Sequence, residues 1–295
     1  MSFPGAKKSV SLIGVGNMGG AMAANLLDRG WSVTAFDIDA EKVEKLKRFG
    51  ATADIGWAQA AINSIATVVC VVDAPQVEAV LFGADGLAER LQPGQIVLLC
   101  PTLAPQQVES FATRLAARGI ALLDAPMSGG PARARSGTMT LMVAGERAVY
   151  DQLSPLLQAL ARRVFYISDQ PGDAARTKLV NNLLAGINLV GAAEAMALAQ
   201  RLGLNPAATL DVIEQSSGQS WIGSDRMHRA IEGDFAPRAH MTLLEKDTRL
   251  ALEAADQAGF AGPLGTAASA VFAQASDAGL AGEDDGALLK FLLTR

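Results

Sequence analysis

Short apolar runs alternate with amphipathic stretches along the first 168 residues of the chain. The intervening stretches, such as AEKVEKLKRFG, have helical periodicity, and three of them end at a glycine, as helices commonly do: Gly30, Gly50 and Gly119. This alternation predicts an α/β domain over residues 1–168 with a doubly wound parallel sheet. Only the connection between IALLDAP and TMTLMV lacks a helical pattern. The predicted strands are VSLIGV, SVTAFD, TVVCVV, QIVLLC, IALLDAP, TMTLMV and RVFYIS.

The pattern changes beyond this point, because the strand-like runs end. Residues 173–202 are rich in Ala and Leu and contain no turn signal, which predicts one long helix. The second domain, residues 169–295, is therefore predicted to be all-α and to be joined to the first by this long interdomain helix. Its other helices are predicted from Pro206 with Asn205 as N-cap, around residues 243–258, and from near Leu264.

The composition of the 295-residue chain argues against two classes of partner. Half of the residues are apolar and the formal net charge is −5, so the chain lacks the basic face that a nucleic-acid partner requires. The longest apolar stretch, residues 183–199, is interrupted by Asn188 and Glu194, which favours a buried helix over a membrane span. We therefore expect neither a nucleic acid nor a membrane as partner.

The cysteines predict a reduced protein without a metal site. Cys70 and Cys100 lie in apolar runs and are expected to be buried thiols. Two isolated cysteines form neither a zinc pattern nor a disulfide framework. The N-terminal residues also lack the apolar core of a secretory signal peptide, so we expect a cytoplasmic protein.

A glycine motif follows the first predicted strand and opens the first predicted helix. Gly14 allows a tight turn, Gly16 lets the backbone approach a pyrophosphate, and Gly19 lets the helix pack close to the strand. The helix N-terminus, with Asn17 and Met18, offers N–H groups to phosphate oxygens. A glycine-rich turn alone would be weak support, but the strand, the helix and a later acidic residue are all present. The motif predicts a Rossmann domain that binds a dinucleotide.

The acidic residue is Asp37, at the end of the run SVTAFD and about 20 residues beyond the glycines. A carboxylate at this position can accept hydrogen bonds from the adenosine ribose and would repel a 2′-phosphate. Ile38 and Asp39 follow it rather than an arginine, so we predict NAD rather than NADP as cofactor. Asp39 has an alternative structural role as the N-cap of the next helix.

Four segments resemble, in order and spacing, the signatures of the β-hydroxyacid dehydrogenases: GVGNMGGAMAANLLDRG, DAPMSGGPARARSGTMTLMVAG, KLVNN and EKDTRLALEAA. This family includes 3-hydroxyisobutyrate, tartronate semialdehyde and L-threonate dehydrogenases and is related to 6-phosphogluconate dehydrogenase. The resemblance covers nearly the whole chain. It implies an NAD-dependent oxidoreductase that acts on the hydroxyl group of a small hydroxy acid. The segment SSGQSW and the patterns that follow it resemble the L-threonate branch.

The resemblance implies that Ser128, Gly129 and Gly130 bind the carboxylate of the substrate. These residues follow the predicted strand IALLDAP, where successive small residues leave backbone N–H groups free to form a concave anion site. Without the resemblance, an ordinary glycine-rich loop would be the simpler interpretation.

The resemblance also implies that Lys178 is the general acid/base and that Asn182 binds the substrate hydroxyl. The two are four residues apart in the predicted long helix, so their side chains project from one face, and Asn181 lies close to it. A poorly hydrated lysine amine loses its proton more readily, as a general base near neutral pH requires. Taken alone, a solvated surface lysine would be the commoner case.

At the nicotinamide end of the cofactor, the resemblance implies contacts from Thr102 and Lys246. Lys246 lies in a charged run that is also compatible with an ordinary exposed helix face. Among the departures from the family pattern, Ala174 stands where the family usually has a second glycine, and Pro101 stands where a serine is usual. Both departures leave the identity of the substrate open.

Two alternatives remain open from the sequence. An imine reductase has a similar layout but usually carries Asp or Tyr in place of Lys178 and prefers NADP. A regulatory protein that senses NAD would need no acid/base. His228 and His240 are expected at the surface or in packing contacts, and Trp221 is expected to pack between helices or to line the substrate pocket. The long apolar helix and the family resemblance together predict a homodimer or homotetramer.

Overall fold

The computed structural model describes residues 8–53 and 57–295. The chain divides into two compact units between Lys178 and Leu179, an α/β unit and a helical unit. This division lies ten residues beyond the predicted boundary at residue 168, since the first turn of the long helix is hydrogen-bonded to the sheet of the first unit.

The α/β unit follows the predicted alternation, with a short 3₁₀ turn at Leu87–Glu89. Its elements, in chain order, are β1 (Ser9–Ile13), α1 (Asn17–Asp28), β2 (Ser32–Phe36), α2 (Ala40–Lys47), α3 (Trp57–Asn63), β3 (Thr67–Val69), α4 (Ala74–Phe82), β4 (Ile96–Leu99), α5 (Pro105–Ala116), β5 (Ala121–Asp124), β6 (Met127–Ser128), α6 (Gly130–Ser136), β7 (Met139–Ala144), α7 (Arg147–Leu160), β8 (Ala161–Ser168) and the start of α8 (Asp173–Arg201).

The strands form one sheet in the order β2-β1-β3-β4-β5-β7-β6, with β8 paired to β7. The pairings among β1 to β5 are parallel, as predicted. The expectation of a parallel sheet is wrong for β7, which runs antiparallel to β5 and β6. The connection between β5 and β7, residues 125–138, where the sequence showed no helical pattern, contains the short strand β6 and a short helix rather than the full helix that usually crosses between parallel neighbours. The helix α6 between β5 and β7 has only seven residues.

Helices cover both faces of the sheet, so successive strand residues contribute to different cores. In β4, Ile96 and Leu98 pack in a cluster with α1 and α7. Val97 and Leu99 pack in a second cluster with α4 and α5. All four side chains are at most 2% exposed. Burial on both faces explains why the strand sequences are apolar throughout rather than alternating.

The helical unit begins at Leu179 and continues α8, which ends at Arg201, one residue before the predicted end. Asn205 caps the next helix as predicted, since its side chain accepts a hydrogen bond from the Ala208 N–H. The expectation that the last helix begins near Leu264 is wrong, because a further helix follows a kink at Gly279. The remaining helices are α9 (Pro206–Glu214), α10 (Trp221–Ile231), α11 (Met241–Gln257), α12 (Pro263–Ala275) and α13 (Leu288–Leu293).

Two buried acidic residues attach α10 to the segment before α13. Asp284 accepts hydrogen bonds from the Arg229 guanidinium and from the Arg238 N–H, each at 2.9 Å. Asp285 accepts one from Arg226 at 2.5 Å. Both residues are 1% exposed, so their carboxyls bind protein donors instead of water. These hydrogen bonds hold the segment before α13 in a fixed position against α10.

By length and composition alone, α8 is the one helix among the described residues that could span a membrane. In this protein 44% of its most apolar window is buried, and core helices of globular proteins pass the same test.

Candidate active site

The glycine motif forms the turn between β1 and α1. Gly14 has a φ of +86°, and a Cβ added there would lie 2.5 Å from the Cys70 carbonyl oxygen. A Cβ at Gly19 would lie 1.9 Å from the Gly14 carbonyl oxygen. At Gly16, in contrast, no heavy atom lies within 4 Å of that position. The fold itself requires the outer two glycines, whereas the middle one leaves the backbone open to a ligand, as pyrophosphate binding needs.

Asp37 lies directly after β2 and is hydrogen-bonded to this turn. Its Oδ2 accepts the Val15 N–H at 2.7 Å, and its Oδ1 accepts the Asp39 N–H at 2.9 Å. The structure therefore brings Asp37 to the glycine turn, where the sequence predicted it. Asp39 has the alternative role, since its side chain accepts the Glu41 N–H and caps α2.

The carboxyl ends of β3 and β4 lie beside this turn. Val69 pairs with Ile13 on one side and with Leu99 on the other, so the loops after these strands leave from the same edge of the sheet. Thr102 is in the loop after β4 and is half-buried. The expectation of buried thiols holds for Cys100, whereas Cys70 is partly exposed. Although the Cys70 residue keeps some exposed surface, desolvation raises the pKa of its thiol to about 12, and it also raises the pKa of the buried Cys100 thiol.

The loop after β5 contains the predicted substrate-binding residues. Ser128 ends the short strand β6, and Gly129 and Gly130 have φ values of +130° and +70°. All three are partly exposed, and no heavy atom lies within 4 Å of a Cβ added at Gly130. Two successive positive φ values need glycine and direct backbone groups in a way that suits an anion.

The last residue of β5, Asp124, holds the start of α8. Its Oδ2 accepts the N–H groups of Gly172 and Ala175 at 3.1 and 2.8 Å. Asp124 is 1% exposed, and its Oδ1 has no hydrogen-bond partner among the described residues. Burial raises the pKa of Asp124 to about 7, although the N–H groups of Ala175 and Gly172 oppose this shift.

Lys178 lies in the second turn of α8 and is 7% exposed. The interpretation as a solvated surface lysine is therefore wrong. Asn182 follows four residues later on the same continuous helix and is also 7% exposed. The spacing places both side chains on one helix face, as the sequence predicted.

In the helical unit, Asp247 of α11 connects two of the predicted site residues. Its Oδ2 accepts a hydrogen bond from Asn182 Nδ2 at 2.5 Å, and its Oδ1 is 2.9 Å from the Lys246 ammonium nitrogen. The Asn182 Oδ1 in turn accepts a hydrogen bond from Asn181. Asp247 is 6% exposed, so this part of the charged run faces inward. The outward part of the run is the exposed pair of Arg249 with Glu253.

Comparison with known proteins agrees with this arrangement. Residues 9–168 match the model of the NAD binding domain of 6-phosphogluconate dehydrogenase, and residues 172–292 match the NAD-binding model of NADP-dependent 3-hydroxyisobutyrate dehydrogenase. An L-threonate dehydrogenase of Cupriavidus necator is 38% identical, over 96% of this chain and 95% of that protein. A 3-hydroxyisobutyrate dehydrogenase of Pseudomonas aeruginosa is 35% identical, over 89% of this chain and 90% of that protein. A 3-hydroxyisobutyrate dehydrogenase structure from Salmonella typhimurium aligns with a TM-score of 0.89 at 37% identity, over 96% of this chain and 99% of that one.

The chain belongs to the β-hydroxyacid dehydrogenase family. It is an oxidoreductase that uses a nicotinamide dinucleotide and acts on the CH–OH group of a small hydroxy acid. The residues around Gly16 and Asp37 fit such a cofactor, because they combine open backbone at a helix N-terminus with a carboxylate at the end of β2.

The structure also gives the surroundings of these two departures from the family pattern. Ala174 is fully buried and packs with Met142 and Ala144 of β7, so its methyl group fills a core contact at the start of α8. Pro101 is buried and lies in the loop after β4, directly before Thr102. The dehydrogenase accommodates the Ala174 methyl group in packing.

Asp124 and Asp247 were not predicted as site residues from the sequence of the dehydrogenase. Asp124 lies in an apolar run and Asp247 in a charged run. The importance of each carboxyl follows from the N–H groups that donate hydrogen bonds to it in the folded protein. The signal for Asp124 was present as the only charge in IALLDAP. In contrast, His228 and His240 are exposed, as expected, and Trp221 begins α10 with 43% exposure.

A pair of alanine substitutions separates the two roles of the glycines. Gly16→Ala should fold normally, because its φ of −68° suits alanine and the added methyl meets nothing, but should bind NAD roughly tenfold more weakly. Gly19→Ala should instead lower stability by about 1–3 kcal/mol through its clash with the Gly14 carbonyl. Thermal unfolding and calorimetric NAD titration measure both effects. Normal NAD affinity in Gly16→Ala would contradict a cofactor lying against this turn.

Proposed function

We propose that the dehydrogenase oxidises a small hydroxy acid of the L-threonate type and that Lys178 is its general acid/base. The observation that carries this proposal is the burial of Lys178 on a helix whose first turn is hydrogen-bonded to the strand preceding Ser128. The same arrangement would not hold the amine of a solvent-exposed lysine in a fixed position. The substrate class is supported by the L-threonate dehydrogenase of Cupriavidus necator, which matches nearly the whole chain.

The residues of the chain have separate tasks in this mechanism. The turn of Ser128, Gly129 and Gly130 binds the substrate carboxylate through its backbone and the serine hydroxyl. Lys178 accepts the proton of the substrate hydroxyl, and in the reverse direction its ammonium group returns that proton to the carbonyl oxygen. Bound NAD supplies the hydride acceptor. Loss of one hydride and one proton converts the CH–OH group to a carbonyl.

Asn182 orients the substrate hydroxyl toward Lys178 in this proposal. Its amide is already fixed, because Nδ2 donates to the buried Asp247 at 2.5 Å. A fixed amide loses little rotational freedom when substrate binds, and the same carboxylate is 2.9 Å from the Lys246 ammonium nitrogen. Asp247 therefore links Asn182 to Lys246, the lysine proposed to contact the nicotinamide end of the cofactor. Thr102, in the loop after β4, is the second residue proposed to contact that end of the cofactor.

Asp37 favours NAD over NADP. Both of its oxygens accept backbone N–H groups, so the carboxylate is held at the end of β2 beside the glycine turn. A 2′-phosphate placed there would meet a like charge, with Ile38 rather than a cation following in the sequence. Lys42 is 4.0 Å from Asp37 but is closer to Asp39, at 3.3 Å.

Two other functions are less consistent with these residues. An imine reductase would be expected to have Asp or Tyr at position 178 and to prefer NADP, whereas this chain has Lys178 and Asp37. A sensor of NAD would need neither Lys178 nor the fixed amide of Asn182. Formation of NADH from a hydroxy acid separates the dehydrogenase from both, since a sensor would show no turnover and an imine reductase would reduce imines with NADPH.

A homo-oligomer is also part of the proposal. Val180, Leu184 and Leu198 lie on one face of α8 and are 71%, 58% and 58% exposed, which is unusual for large apolar side chains on one stripe. Glu194 and Arg201 flank this stripe two turns apart. In a two-fold antiparallel pairing of α8 with a second copy, each Glu194 would face an Arg201 of the other chain.

The first prediction concerns Lys178. Among L-threonate, glycerate, 3-hydroxyisobutyrate, 4-hydroxybutyrate and L-serine, NADH formation should identify a substrate, and we expect L-threonate to give the highest kcat/KM. With that substrate, Lys178→Ala should lower kcat by about 10²–10⁴ because the substitution removes the proposed proton acceptor. Lys290→Ala, at an exposed lysine paired with Glu283, is the control and should retain activity. Near-normal turnover in Lys178→Ala would rule out the lysine as acid/base.

The second prediction concerns cofactor choice. Asp37→Ala should weaken NAD binding and raise the ratio of NADP to NAD efficiency by about tenfold or more, since the repulsive charge is removed. Measuring kcat/KM for both cofactors gives this ratio. Asp39→Asn removes a neighbouring charge but preserves a helix cap, so its ratio should stay unchanged. An unaltered ratio in Asp37→Ala would remove this residue from cofactor selection.

The third prediction concerns assembly. Leu198→Arg should convert the oligomer to monomers, because it places a charge beside Glu194 and Arg201 at the two-fold axis of the proposed pairing, in apolar surroundings. Light scattering coupled to size-exclusion chromatography gives the mass. Val212→Arg, at a similarly exposed apolar position on α9, should leave the mass unchanged. A monomeric unmodified protein, or an unaffected Leu198→Arg oligomer, would show that this face is not the interface.

A further inference from the structure

One buried carboxyl joins the two segments of the α/β unit that carry the proposed chemistry. Asp124 ends β5 and lies four residues before Ser128. Of the two residues whose N–H groups it binds, Gly172 directly precedes α8 and Ala175 lies in its first turn, three residues before Lys178. The sequence separations across these two hydrogen bonds are 48 and 51 residues, so the contact is tertiary rather than a local helix cap.

The acceptor is unusual for a helix N-terminus. Caps normally come from the residue just before the helix, and an acid in the first turn commonly adds a favourable charge. Here Asp173 supplies such a charge locally, but its carboxyl binds Ser168 and Arg176 instead. The free N–H groups at the start of α8 are bound by a strand residue, which ties the helix axis to the sheet.

Other contacts near this junction are weaker constraints on the helix. Arg176 forms an ion pair with Glu109 of α5, but the two side chains are 48% and 43% exposed, and exposed pairs contribute little. Ala174 packs with Met142 and Ala144, which limits the distance between α8 and β7 but has no directional preference. The Asp173–Ser168 hydrogen bond joins the start of α8 to the end of β8, whereas the Asp124 hydrogen bonds join it to β5, the strand that leads to Ser128.

We propose that Asp124 is a positioning residue, whose buried carboxyl fixes the start of α8 relative to the Ser128–Gly130 turn and so holds Lys178 at the reacting hydroxyl. This inference depends on the proposed role of Lys178 as acid/base. It assigns Asp124 no contact with substrate or cofactor, and it explains why a costly polar group occupies the end of a central strand, where an apolar side chain would pack at lower cost.

Two further features of Asp124 agree with this role. Its Oδ1 lies buried without a hydrogen-bond partner among the described residues, so the group is not optimised for stability alone. Burial also raises the pKa of this carboxyl to about 7, a sign that ionisation there is opposed by the surroundings. A carboxyl that is costly to bury at this position is consistent with a requirement to fix the start of α8.

Asp124→Asn is the test, because asparagine preserves the shape but removes the charge that strengthens the two hydrogen bonds. We expect kcat to fall roughly 10- to 100-fold, since small displacements of a reacting group have effects of this size. The dissociation constant for NAD should stay within about twofold, since Gly16 and Asp37 lie elsewhere. Amide hydrogen exchange should accelerate in the peptide covering residues 172–178 and remain unchanged in β1 and α1.

The matched control is Asp173→Asn, which removes the same charge from the same helix terminus. Asp173 is bound to Ser168 and Arg176, so its loss should leave kcat within about twofold and the exchange of residues 172–178 nearly unchanged. Equal effects of the two variants would show that general helix electrostatics is responsible and would overturn the proposal.

A double-mutant comparison separates this inference from the proposed function. If Asp124 acts through Lys178, adding Asp124→Asn to Lys178→Ala should cause no further loss of kcat. Independent, multiplicative losses would overturn the positioning role, and so would an unchanged kcat in Asp124→Asn. Normal turnover in Lys178→Ala alone would instead refute the acid/base assignment. If Asp124→Asn does not fold, Asp124→Ser, which keeps an oxygen acceptor, is measured in the same way.

Discussion

The hydrogen bonds from the first turn of α8 to Asp124 are the constraint on which the proposed site in the α/β unit depends. The Ser128–Gly130 turn and Lys178 come from segments about 50 residues apart, and neither segment contains information about the other. The buried carboxyl joins them with two directional contacts of 3.1 and 2.8 Å. Without such contacts, hydrophobic packing alone would hold α8 near the sheet but would leave its rotation and register less defined.

A similar division between fold and function is visible in the dinucleotide turn. Gly14 and Gly19 are dictated by backbone crowding within the protein, and any side chain there would meet a carbonyl oxygen. Gly16 meets nothing, so its lack of a side chain has no explanation within the chain. A glycine that the fold does not need, next to two that it does, indicates that a ligand approaches the backbone at that position.

The sequence predicted the elements better than their directions and partners. The apolar runs identified β1 to β5 because burial on both sheet faces needs continuous hydrophobicity, and the Gly14 motif was recognisable from local turn chemistry. The antiparallel direction of β7 was missed, since hydrophobicity does not encode strand direction. Asp124 and Asp247 were missed because an acid becomes structural only through N–H groups or amides that lie far along the chain. The long helix was predicted correctly, but the division of the chain within it was not.

The contacts of Asp37 show why the ratio of NADP to NAD efficiency tests the role of this residue better than the affinity for either cofactor does. One oxygen binds the Val15 N–H of the glycine turn, so loss of the carboxyl disturbs a turn that NAD and NADP would share. That disturbance weakens both cofactors equally and cancels in their ratio. The charge acts differently, because only NADP carries a 2′-phosphate to be repelled. The structural and electrostatic roles of this carboxylate are therefore separable in principle, even though the same two oxygens perform both.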